Sequence, residues 1–148
     1  MNGRRNLTIP HDGYVVVCDG RRAIVLRNAG HPLALDLRIE RAFEAPPNPP
    51  TREQGTDRPP RVRTGERRSS IEQTDWHRVA ENRFAADVAT ALAGIDPLPA
   101  LVVVAPPKML AELRRVLPER LRCAIVGEID KDLTKHTVEE IGRHLADA

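Results

Sequence analysis

The sequence predicts a single α/β domain built on one mixed β-sheet. Three observations predict it. The first 44 residues read as an antiparallel β-β-β meander. A Pro/Arg-rich stretch, residues 45–73, breaks the pattern. After it, apolar runs and amphipathic stretches alternate as α-β-α-β-α, the order that favours parallel neighbours and right-handed crossovers.

The elements follow in order. Residues 14–27, YVVVCDGRRAIVLR, place two β-branched runs around Asp19-Gly20. An Asp-Gly pair accepts the positive φ angles of a type I′ turn, so a tight hairpin is expected. Ala34 to Phe43 alternates Leu35, Leu37 and Ile39 with Asp36, Arg38 and Glu40, the pattern of a half-buried strand. Residues 45–73 hold six of the 13 prolines and six arginines, with only Val62 and Ile71 to anchor them. Such a composition predicts a long flexible loop within the domain. Ser69, Ser70 or Thr74 then offers the N-cap of a helix whose apolar face runs through Trp76, Val79, Ala80, Phe84, Val88, Ala91 and Leu92. Ala100–Ala105 is continuously apolar, as in a strand covered on both faces. Pro106-Pro107 opens a helix with Leu110, Leu113, Val116 and Leu117 on one side, and Pro118 ends it. Cys123–Ile129 reads as a strand. Thr137 and Glu140 form a capping box for a last helix facing inward through Val138, Ile141 and Leu145.

Composition narrows the function. The chain has 148 residues, a net charge of +2 and only four aromatic residues, Tyr14, Phe43, Trp76 and Phe84. That excludes a histone-like binder and a multi-aromatic base-stacking module. Cys18 and Cys123 lie in apolar runs and show no metal-ligand spacing, so two buried thiols in a reducing compartment are expected. No apolar run follows Arg4 and Arg5, and none approaches a bilayer's thickness, so no secretory signal or membrane span is expected and the location reads as cytoplasmic.

Two groups of residues carry candidate chemistry. In the loop, Arg52, Arg58, Arg61, Arg63, Arg67 and Arg68 outnumber Glu53, Asp57 and Glu66. Arginine forks onto phosphate and stacks on bases, so this segment suits structured RNA. A solvated linker has the same composition. The second group lies at strand ends, where open α/β sheets bind ligands. Asp130, Lys131, Asp132, Lys135 and His136 follow the last strand, and Lys108 follows the strand before it. Asp130 and Asp132 suit a hard cation, which would make a metal-dependent hydrolase or nuclease. The third carboxylate it needs is wanting, because the hairpin turn already explains Asp19, and Asp132 or Thr134 suits a turn before the helix. No metal site or cofactor is therefore expected, and an enzyme is the less favoured reading. A third reading makes Ala45–Pro50 a polyproline ligand for a protein partner.

Four stretches carry a family resemblance. They are residues 47–59 (PNPPTREQGTDRP), Glu72–His77 (EQTDWH), Val104–Pro107 (VAPP) and Glu128–His136 (EIDKDLTKH). From about Pro10 onward the chain resembles the bacterial host attachment protein family. That resemblance implies a part in bacterium–host attachment. It also implies a fold similar to the middle domain of eukaryotic and archaeal class I peptide-chain release factors and of Pelota, which carries a long loop into the ribosome. The loop then falls where a ribosome-contacting loop is expected, with Gln54 and Gly55 near its tip. The Gly-Gly-Gln of release factors does not occur in this chain. The reading is a release factor-like, translation-associated domain that contacts the ribosome or RNA through its arginines without termination chemistry.

Overall fold

The computed structural model describes residues 7–45 and 62–147, with side chains described for 7–45 and 78–147. Its elements are β1 (Tyr14–Cys18), β2 (Arg22–Asn28), β3 (Leu37–Glu44), α1 (Val62–Ala93), β4 (Leu101–Ala105), α2 (Pro107–Val116), α3 (Glu119–Ala124), β5 (Ile125–Asp130) and α4 (Val138–Ala146). Among the described residues one five-stranded sheet forms in the order β3-β2-β1-β4-β5. β1, β2 and β3 pair antiparallel, whereas β4 pairs parallel with both β1 and β5. This is the mixed α/β sheet the sequence predicts.

Alternation along the central strands assigns the two faces. Val16, Cys18, Val25, Leu101 and Val103 pack against Phe84, Val88 and Leu92 of α1 and Met109, Leu110 and Leu113 of α2. Val15, Val17, Leu26, Val102 and Val104 pack against Ile9, Leu133 and, on α4, Ile141 and Leu145. Each such side chain contributes about 1.5–3 kcal/mol when fully buried. The capping box of α4 is present, with Glu140 N donating to Thr137 Oγ1 at 3.1 Å and Thr137 N to Glu140 Oε1 at 3.0 Å.

Several expectations are corrected. The Asp19-Gly20 turn is not type I′, since no glycine among the described residues has a positive φ. Instead Asp19 Oδ1 accepts from the amides of Arg21 and Arg22, each at 2.7 Å, and the side chain replaces a backbone turn. Gly20 serves closeness, because a Cβ there would lie 2.8 Å from Cγ of Glu81. β3 begins at Leu37 rather than Ala34, because His31 and Ala34 bridge each other in a turn with Leu33 at its tip. Between Val25 and Leu26 its register shifts: Val25 pairs Arg41 but Leu26 pairs Ile39. The bulge at Glu40 reverses the strand's faces. Leu37 therefore packs toward α4, while Phe43 reaches the α1 face and stacks tilted on Phe84 at 5.8 Å.

α1 begins at Val62, well before the expected caps at Ser69, Ser70 or Thr74. Residues 46–61 of the expected loop lie outside the described residues, and residues 62–73 are helical. Beyond Pro60 the segment is rich in Arg, Glu and Gln, which lose little freedom in a helix, and the packed turns from Phe84 onward extend it. Val79, expected on the apolar face, is half exposed. Cys123 lies on α3 and is exposed, not buried in a strand. Sequence reading missed this short helix altogether. Its arginines cap its neighbours: Arg120 donates to Ala93 O at 2.8 Å in the last residue of α1, and Arg122 to Leu117 O at 2.9 Å just after α2.

Asn28 is fully buried and joins three segments. Its Nδ2 donates to Ile9 O at 2.9 Å, and its Oδ1 accepts from Gly30 N at 2.9 Å and Asp36 N at 3.0 Å. Replacing it by Ala orphans those groups and is expected to lower stability by about 2–3 kcal/mol in urea unfolding. Gly142→Ala is expected to raise it by about 0.5–1 kcal/mol, since a Cβ there meets only Leu37 Cδ1 at 3.9 Å in mid-helix.

Candidate functional site at the carboxyl ends of the parallel strands

The carboxyl ends of β1, β4 and β5 share one edge of the sheet. Asp19 follows β1 there, and Asp132-Leu133-Thr134 follows β5. Leu133 is buried in the α4-side core and draws Thr134 inward, leaving it 6% exposed. Thr134 Oγ1 lies 2.7 Å from Asp132 Oδ1 and 3.2 Å from Asp19 Oδ2. A hydroxyl has one proton, so it donates to one carboxylate at a time. Thr134 N also donates to Asp132 Oδ1 at 3.0 Å. Two carboxylates 113 residues apart in the chain are thus held by one threonine.

The electrostatics follow from that arrangement. Burial acts to raise the Asp132 carboxyl, but the Thr134 hydroxyl and amide, with the charges of Lys135 and Arg22, hold it below the ordinary range. Behind it, burial pushes the Cys18 thiol up to about 12, with Asp19 and Asp132 adding negative field. A thiol so placed stays protonated at neutral pH and is no nucleophile.

The six strand-end residues do not converge on one pocket. Asp130 and Lys131 are exposed at the end of β5. Asp132 turns back to Thr134, and Lys135 is exposed beside it. Lys108 lies elsewhere, in a groove of about 630 Å³ between α1 and α2, with Arg78, Glu81, Asn82 and Glu112. His136 belongs to the start of α4, its Nδ1 3.3 Å from Glu140 Oε1 and its ring 5.2 Å from that of His144. Among the described residues no group of three His, Cys, Asp or Glu side chains is placed to hold a metal ion. The nuclease reading finds no support in this geometry.

In the loop group, Arg52, Gln54, Gly55, Arg58 and Arg61 lie outside the described residues. Positions 63, 67 and 68 fall on the α1 backbone, 63 and 67 one turn apart. Sequence reading took Thr134 only as a turn former. Its signal was the Asp-x-Thr spacing, where an acid accepts from the amide two residues on.

A mixed-sheet α/β domain whose strand-end acids hold a turn, beside a long helix entered through an arginine-rich segment, is the class the structure defines. The chain belongs to the family described as "Protein required for attachment to host cells", whose family model matches residues 14–145. No curated protein matches it. No helix among the described residues is long and apolar enough to cross a membrane.

Two outcomes check this site. In the native protein Cys123 is expected to react with a thiol reagent, and Cys18 only after unfolding; two equally fast thiols would contradict the burial of Cys18. The depressed Asp132 carboxyl contributes stability above its unfolded value near 3.8, lost as pH falls through the folded value. Thr134→Val is expected to flatten the fall in stability between about pH 4 and pH 2, read by urea unfolding at each pH.

Proposed function

We propose that this member of the host attachment family is an RNA-contacting domain that works at the ribosome rather than an enzyme. The observation that carries the reading is the arginine-rich segment running straight into α1. Arg52, Arg58, Arg61, Arg63, Arg67 and Arg68 precede or enter a helix that is anchored in the core from Phe84 to Leu92. Arginine forks bidentately onto phosphate, and neutralising phosphates releases counterions. Gln54 and Gly55 stand without the second glycine of a release factor, so hydrolysis of peptidyl-tRNA forms no part of the proposal. A buried, protonated thiol at Cys18 and an unpaired Cys123 support a reducing, cytoplasmic setting. The attachment role in the family's description then acts through protein synthesis rather than through surface contact.

Sedimentation with ribosomes through a sucrose cushion tests this. The protein is expected to pellet at low salt and to leave the pellet steeply as salt rises. An Arg63→Ala, Arg67→Ala, Arg68→Ala triple variant, which keeps good helix formers, is expected to lower the salt slope by about 2–3. A supernatant protein at low salt, or a triple variant that pellets unchanged, overturns the proposal.

A further inference from the structure

The α4 face of the sheet is covered less fully than the α1 face. α4 has nine residues, and beside it lies an apolar groove of about 840 Å³. Leu7, Leu35 and Leu37 wall one side, and Val138, Gly142 and Leu145 the other. Leu33 stands at the lip, 90% exposed, and Ile39 on the same side of β3 is 54% exposed. An apolar concavity with a large exposed leucine at its mouth marks a contact surface.

The rim charges say what covers it. Glu139 and Arg143 line the groove one turn apart on α4. Among the described residues neither side chain makes a hydrogen bond or a close ion pair, although the charge of Arg143 also acts on Glu140 of the same helix. The third rim charge, Asp36, is already held by Arg38 at 2.9 Å. A two-fold axis lays such a patch on itself with its ends exchanged, so an acid and a base along one groove meet their opposites.

We infer that a second copy of this chain covers the groove, Leu33 of each protomer entering the groove of the other and Glu139 of each meeting the partner's Arg143. The strand edge itself is not the contact, because Arg38, Glu40, Arg41 and Glu44 along β3 discourage strand pairing. The inference is independent of the RNA reading, since the groove and the arginine segment share no residue.

Sedimentation equilibrium over a range of protein concentrations reads the mass directly. The wild type is expected to be a dimer. Glu139→Arg and Arg143→Glu each place like charges together twice, and each is expected to raise the dissociation constant by at least about tenfold. The double variant exchanges the charges and is expected to restore the dimer. Gly142→Trp, whose Cβ meets only Leu37 Cδ1 at 3.9 Å, is expected to fill the groove and give a monomer that still unfolds cooperatively, at a melting temperature that no longer depends on protein concentration. A monomeric wild type overturns the inference. So does a dimer that survives both single reversals and Gly142→Trp, because its interface lies elsewhere.

Discussion

The structure depends on covering both faces of β1 and β4. These two strands lie at the centre of the sheet and are buried on both sides. Their parallel pairing joins the antiparallel meander to the strand-helix half, so neither half completes its core alone. One face is closed by α1 and α2. Among the described residues the other is closed by α4, Leu133, Leu35 and the segment around Ile9. Asn28 holds that segment by donating to Ile9 O and ties it to the turn before β3 by accepting from the amides of Gly30 and Asp36. The bulge at Glu40 then shares β3 between the faces, sending Phe43 to one and Leu37 to the other. The groove beside α4 is what remains where a nine-residue helix meets a wider sheet.

The polar groups at the strand carboxyl ends serve this scaffold. Asp19 closes the β1–β2 turn with one oxygen and meets Thr134 with the other. Asp132 spends one oxygen on the turn leading to α4. Acids committed to backbone amides and a hydroxyl are poorly placed to gather a cation. Burial keeps Cys18 protonated, and their field adds to it.

What could be read from the sequence followed the strength of local periodicity. The run Leu101–Ala105 and the apolar face of α4 carry their burial in their spacing, and both were legible. The strand-helix order was legible for the same reason. Three features were not. The bulge at Glu40 depends on pairing with β2, a non-local contact with no glycine to mark it. The turn at Asp19 was settled by a side-chain oxygen competing with backbone geometry. The start of α1 was hidden because a low apolar content reads as loop, whereas charged residues with good helix propensity can extend a helix already anchored by packing. Cys123 misled for a related reason: its neighbours Ala124–Val126 are apolar, but Pro118 and the Glu119–Arg122 pair favour a short helix before the strand. The six strand-end candidates looked contiguous because five are close in sequence, yet the turn at Thr134 and the capping box of α4 point them apart.

Amide hydrogen exchange across residues 62–77, measured with and without ribosomal RNA, shows whether the start of α1 meets RNA. Slower exchange is expected in that stretch when RNA is present, with β1 and β4 unchanged. Exchange there that ignores RNA, with protection instead around Asp19 and Thr134, would contradict it and return the site to the sheet edge.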